Sequence, residues 1–305
     1  MSSTITDITV TAAFQDIEST ARAVAFIPDE DAPWTGLIIT APRDGGLDLF
    51  NADGEIVTRM TGPRLSGLAV SPNFALRGEA LPLIIGVDTQ DNILRAYVLV
   101  RSGPNAIEAP LAPITMEAAS NLCFVREGAG FVEIAVLGRD ASAEIWRISD
   151  SGGDLIGTEL IRSYTLPAPA RTCTSIDGAV YVGGPTSSLL KLESDGTISA
   201  QTPFNAVHMA SSRLGGRAVI IAASGQDETL QVFDAQTLAR VTTARVVMGL
   251  STPGISRPGA MAISEASYGG ASYQSGLVAI IDEDDGRVRV IARESFARDV
   301  VLADD

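Results

Sequence analysis

One histidine, His208, and two cysteines, Cys123 and Cys173, are the only soft nucleophiles or metal ligands in the sequence. Three such groups fall short of the four that a structural zinc takes, which nearly excludes zinc chemistry. Histidine catalysis would have to run through His208 alone, which reads better as a structural histidine than as a base. Hard-cation chemistry stays open, because 37 carboxylates are present and calcium takes oxygen ligands. The densest acidic run, Asp282-Glu283-Asp284-Asp285 before Gly286, lacks the alternate-ligand spacing of an EF-hand and reads as a solvated turn. The stretch from Gly183 to Ser188, GGPTSS, lacks the lysine and following helix of a phosphate-binding loop. No Gly-x-Ser-x-Gly nucleophile elbow occurs. No motif names a reaction.

The whole composition narrows the field further. With 22 basic against 37 acidic side chains, the 305-residue chain carries a net charge of −15. Phosphate backbones demand an excess of Lys and Arg, so nucleic acid is not an expected partner. No apolar run approaches the roughly 18 residues of a membrane span. Met1-Ser-Ser-Thr lacks the basic start and apolar stretch of a signal peptide. The chain therefore reads either as cytoplasmic or as a mature form.

The elements that position these side chains show as a repeat. Six segments share one pattern of an apolar strand, a polar turn and an alternating strand: LIITAPRDGGLDLF from Leu37, LIIGVDTQDNILRAY from Leu83, IAVLGRDASAEIWRI from Ile134, VYVGGPTSSLLKL from Val180, VIIAASGQDETLQVF from Val219 and LVAIIDEDDGRVRVI from Leu277. β-Branched residues around turns rich in Gly, Asp, Asn and Ser mark each as a hairpin. Their starts are about 48 residues apart on average, the period of a four-stranded propeller blade. A further short strand precedes each hairpin, as in AVAFIP, LCFVRE and GAMAIS. No stretch of 12 residues keeps a helical period. The sequence thus predicts an all-β fold: one domain over residues 1–305, a six-bladed β-propeller of four-stranded blades, its ring closed by the N-terminal strand. That strand is expected over Thr4–Val10, which alternates and would cover the open edge of the last blade.

Aligning the blades gathers the candidate site. Ala23, Gly67, Cys123, Cys173, His208 and Ala260 fall at one position of the innermost strands, where crowding about the axis favours small residues. Cys123, Cys173 and His208 are therefore channel-lining candidates. Repeat-equivalent positions in adjacent blades bring the two cysteines near each other, but adjacent inner strands meet the roughly 7 Å Cα limit of a disulfide only marginally; two free buried thiols are favoured, and the sequence leaves a Cys123–Cys173 bridge open. Arg22, Arg64, Arg171 and Arg257 lie one to three residues before that position, and the hairpin turns add Arg43 and Arg139. Six guanidinium groups on one face form a candidate site for carboxylate or phosphate. The competing expectation pairs them with Asp44, Asp88, Asp140 and Asp282 in neighbouring turns, as surface ion pairs of small effect.

The segment Leu37–Phe74 with its leading Gly36 (GLIITAPRDGGLDLFNADGEIVTRMTGPRLSGLAVSPNF) resembles the first blades of bacterial β-propeller phytases, and Ala222–Asp234, AASGQDETLQVFD, resembles a later stretch of that family. With loose gaps the resemblance covers most of the chain. It implies a propeller that works outside the cytoplasm and hydrolyses phosphate monoesters with carboxylate-held calcium and basic side chains. The family's acidic motifs fall here on other residues: Asp-Asp-Pro on Thr20, Ala21 and Arg22, a strand Asp on Ala69, Glu-Gly on Thr172 and Cys173, a Glu pair on Gly183 and Gly184, and a later Glu-Gly near Ala206 and Val207. What survives is Arg43 and Arg139 at lysine positions and Asp282 at an acidic turn. Calcium needs about six to eight oxygen ligands, so the resemblance implies lost or very weak hydrolysis and no catalytic residue. The leading expectation is a binding module without a cofactor, holding an anionic small molecule or a protein segment at an arginine-bearing mouth. An active calcium phosphatase using Asp44, Asp88 and Asp282 and a protein-partner scaffold are the alternatives.

Overall fold

The computed structural model describes residues 5–14, 19–116 and 118–302, residues 301 and 302 by their backbone alone. In chain order the strands are β1 (Ile5–Thr9), β2 (Ala12–Ala13), β3 (Ala21–Ile27), β4 (Leu37–Pro42), β5 (Leu47–Phe50), β6 (Ile56–Met60), β7 (Leu65–Leu76), β8 (Glu79–Asp88), β9 (Ile93–Val100), β10 (Asn105–Glu108), β11 (Ala119–Gly128), β12 (Phe131–Gly138), β13 (Ser142–Ser149), β14 (Gly157–Thr165), β15 (Thr172–Ile176), β16 (Ala179–Gly184), β17 (Ser187–Leu192), β18 (Ile198–Thr202), β19 (His208–Leu214), β20 (Arg217–Ala223), β21 (Thr229–Asp234), β22 (Arg240–Val247), β23 (Pro258–Ser264), β24 (Leu277–Asp282) and β25 (Val288–Ala292). One helix, α1 (Arg293–Leu302), follows. From β3 onward they fall into six antiparallel sheets, each running from an inner first strand outward. The architecture is the expected six-bladed propeller.

The reason the second strand of each blade reads as a continuous apolar run is that it is buried on both faces. Ile38 packs toward blade six while Ile39 packs toward blade two, and Val278 and Ile280 face blade five while Leu277, Ala279 and Ile281 face blade one. Each junction between blades thus has its own apolar core, six in all around the ring. Non-directional burial of this kind holds neighbouring sheets face to face. The helix α1 contributes Phe296 and Val300 to the core between blades five and six.

Closure of the ring differs from expectation. Ile5–Thr9 does not complete the last blade; β1 runs parallel to β22 as a fifth, outermost strand of blade five. The last blade is completed by β2, whose Ala12 and Ala13 pair with Val290 and Arg289. Thr4 lies outside the described residues. The N-terminal stretch therefore clasps two consecutive blades, and a two-residue strand is too short to show an alternating pattern.

Around the axis the inner strands approach closely, and Gly67 shows how closely. Its φ of +64° belongs to the left-handed region, and a Cβ there would lie 2.6 Å from the Leu122 carbonyl oxygen of the next blade and against the Asn121 side chain. Gly67→Ala is accordingly expected to cost about 2–3 kcal/mol in urea unfolding, from backbone strain plus the clash. Gly103→Ala, where nothing lies within 4 Å, is the control and should change little.

Candidate functional site

The six residues aligned from sequence, Ala23, Gly67, Cys123, Cys173, His208 and Ala260, all line one central channel of about 960 Å³. Polar side chains stitch its wall from blade to blade. Ser66 Oγ donates to the Ser120 carbonyl at 2.7 Å, and Asn121 Nδ2 donates to the Arg171 carbonyl at 2.6 Å. Ser211 Oγ donates to the Ser175 carbonyl at 2.6 Å.

Cys123 and Cys173 are not free thiols. They form a disulfide joining β11 to β15, with Cα atoms 5.7 Å apart. The inner strands of blades three and four come well within the distance that a bridge requires. The channel wall is therefore covalently closed between those two blades.

The first strand of each blade starts on the face where the second strand ends, so both sets of arginines share one face. A recurring backbone bond proves the equivalence. The residue after the second strand donates its N–H to the carbonyl just before the first strand: Arg43 to Thr20 at 2.9 Å, Thr89 to Arg64 at 2.8 Å, Arg139 to Ala118 at 3.1 Å and Glu283 to Arg257 at 2.9 Å. Arg22, Arg43 and Arg171 line the channel, whereas Arg64, Arg139 and Arg257 stand back from its wall.

The six arginines divide into two sets. Glu283 collects Arg43 (3.8 Å), Arg257 (3.5 Å) and His208 (3.3 Å) from blades one, six and five. Arg257 also reaches Asp284 at 3.1 Å. Glu283 is thus no freely solvated turn residue; its side chain is 24% exposed. Arg22, Arg64, Arg139 and Arg171 are exposed and have no side-chain partner among the described residues. Three of the four aspartates expected to neutralise them do other work. Asp88 pairs with Arg95 at 3.2 Å, and Asp140 accepts a hydrogen bond from Ser142. Asp282 accepts from the Ser256 and Arg257 backbone N–H groups, both at 3.2 Å.

A calcium site built on Asp44, Asp88 and Asp282 does not fit this arrangement. The three stand on blades one, two and six, and the second and third are buried and already hydrogen-bonded. Among the described residues no three His, Cys, Asp or Glu side chains converge as metal ligands.

Sequence reasoning missed Glu283 because its acidic neighbours mark a turn. The signal was in the register: Glu283 occupies the repeat position held by Arg43 and Arg139. The hydrogen bond from His208, with Arg257 and Arg43 close by, holds the Glu283 carboxyl below its ordinary 4.5 despite burial, which opposes the shift. A lowered carboxyl pKa stabilises the fold above the unfolded value and loses that contribution as pH falls through the folded one. The Glu283 carboxylate should therefore stay ionised at pH 5 and lose its contribution only as pH falls below 4.5. Carboxyl carbon NMR titration checks this, and Glu283→Gln should flatten the acid limb of stability correspondingly.

Fold and site together define a six-bladed propeller whose channel mouth carries unpaired arginines. No protein-family model matches the chain, and no curated protein matches its sequence. Solved structures do resemble it. BBS1N, solved in complex with ARL6DN, matches with a TM-score of 0.54 at 14% identity over 90% of this chain and 78% of that one. The Cps50 (Swd1) β-propeller domain from Myceliophteria thermophila matches with 0.52 at 10% identity, over 93% and 99%. Sqt1 from Saccharomyces cerevisiae matches with 0.53 at 10% identity, over 94% and 99%. These likenesses show the fold. Among the described residues no helix is long and apolar enough to cross a membrane.

Proposed function

We infer that this chain is a binding module that holds an acidic segment of a partner protein at the arginine-bearing mouth of its channel. The observation that carries the reading is the set of four unpartnered guanidinium groups, Arg22, Arg64, Arg139 and Arg171, on one face of a chain with net charge −15. Arginine is the preferred fixed donor for carboxylates, and such a patch on an acidic protein selects an anionic partner. A structural neighbour solved with a bound partner, BBS1N with ARL6DN, supports a binding role for the fold. The reading includes descent from phytase-like propellers with loss of phosphate-ester hydrolysis, supported by the likeness of residues 36–74 and by the engaged state of Asp88 and Asp282. It places the protein in the periplasm or outside the cell, a location supported by the Cys123–Cys173 bridge, since disulfides persist in oxidising compartments.

Calorimetric titration with a ten-residue polyglutamate peptide, in calcium-free buffer, tests the reading. Binding should be saturable and should weaken steeply with salt, as contacts to exposed charges do. Tighter binding of inositol hexakisphosphate would assign the mouth to a small anion instead, and phosphate release on adding calcium would restore the hydrolase. The absence of binding to either anion would end the anion reading.

A further inference from the structure

We propose that the cleft between blades five and six is a second binding site, which takes an uncharged apolar segment of a partner protein and receives one of its backbone carbonyl oxygens on Arg289. Along β25, Val288 and Val290 pack toward blade one and Ile291 packs toward blade five. Strand alternation therefore turns Arg289 toward blade five. Its side chain is only 1% exposed. Nε donates to the Pro253 carbonyl at 3.0 Å and Nη2 to Asp285 at 2.5 Å, while Nη1 is buried without a partner. A charged donor left unsatisfied in a protein interior is costly, and the Arg289 side chain that carries it is among the residues lining an open cleft of about 500 Å³.

The cleft specifies what it accepts. Its wall includes Val246, Val247, Met248 and Ile255. Two residues beyond Met248 on the same loop stands Leu250, fully exposed, and Met248 itself is 70% exposed. The loop is a fixed feature rather than a loose tail: Gly249 N–H bonds the Thr252 carbonyl at 2.9 Å and Ile255 N–H bonds the Val246 carbonyl at 3.0 Å. Two neighbouring apolar side chains held out to solvent beside a cleft are the features of a protein-contact patch.

Charge sets this site apart from the channel mouth. Arg245 and Arg289 share the lining of the cleft with Glu228, Asp282 and Asp285; Arg245 is already paired with Glu228 and with Asp7, and Arg289 with Asp285. An entering carboxylate would meet an excess of negative charge. A neutral amide carbonyl satisfies Nη1 without that penalty, and a leucine-like side chain beside it covers Met248 and Leu250.

The test uses full-length protein labelled at methionine and isoleucine methyls, with N-acetyl-leucyl-leucine methylamide as probe and N-acetyl-leucine as its anionic counterpart. The amide probe should shift the Met248 and Ile255 methyls and bind more tightly than the carboxylate. Arg289→Met should weaken it about tenfold or more, the loss of a hydrogen bond to a charged group. Arg22→Glu with Arg171→Glu should leave it unchanged. Should Arg289→Met not fold, Met248→Ser with Leu250→Ser, both on the surface, should weaken the probe several-fold. Three results would overturn the proposal: no methyl shift up to the solubility limit of the amide, tighter binding of the carboxylate, or full affinity in the variants. Self-association of the wild type that Met248→Ser and Leu250→Ser abolish would assign the cleft to a second copy of this chain and likewise overturn it.

Discussion

Replacing Cys123 and Cys173 together by serine should lower the stability of the propeller by about 4 kcal/mol, the chain-entropy value for a bridge of this span. The two cysteines are 50 residues apart and the bridge joins inner strands of consecutive blades, so its loss frees a whole blade's length of unfolded chain. For a protein of this size that corresponds to a fall in melting temperature of about 5–7 °C. Wild-type protein heated with a thiol reductant should converge on the double-serine variant. Calorimetry that gives the same melting temperature for both proteins, with and without reductant, would show that the bridge contributes nothing. The serine pair should leave the arginine mouth intact, because Arg171 N–H is fixed independently, by the Gly183 carbonyl at 2.7 Å.

The second large effect is expected at the mouth. Arg22→Glu with Arg171→Glu changes the local charge by four units at the two unpaired arginines that line the channel. Affinity for polyglutamate should fall about a hundredfold, equivalent to roughly 3 kcal/mol, mostly through slower association. Arg162→Glu with Arg298→Glu is the control. It makes the same change in net charge at β14 and α1, so a similar loss there would mean that overall charge, not the mouth, governs binding. Arg257 is the less informative target: Glu283 and Asp284 already hold it, and its removal would chiefly release those carboxylates.

The parts of this protein that were legible in the sequence are those where burial acts on both faces of a strand. Leu37–Pro42 and Leu277–Asp282 are buried at every residue, which is why apolar runs at a 48-residue period revealed the blades. Gly67 and Ala23 were legible for a related reason, the crowding at the axis. Other features depend on neighbours far away in the chain. The seam was misplaced because edge closure says that an open blade needs a strand, not which of two adjacent segments supplies it. The disulfide was misjudged because 5.7 Å between Cα atoms is a property of two blades' relative placement. The mouth was half legible: repeat register found all six arginines, but only three-dimensional contact shows that one glutamate disarms two of them. Arg289 was missed entirely, since a lone arginine in an apolar strand carries no pattern.

The seam also governs how the chain can be made. Ile8 and Val10 enter the core between blades five and six, and Ala12 and Ala13 have nothing to pair with until Arg289 and Val290 exist. A ribosome adding roughly 5–20 residues per second needs about 15 s to a minute to cover that distance. During this interval that early segment waits for its partners and is the last of the ring's strands to find its place. An idle strand is an invitation to pair with the wrong edge. Asp7, between Thr6 and Ile8, puts a charge in the middle of that strand, and Arg245 takes it up at 3.0 Å once the strand has docked. The same carboxylate thus keeps the waiting segment soluble and fastens it when the ring is complete.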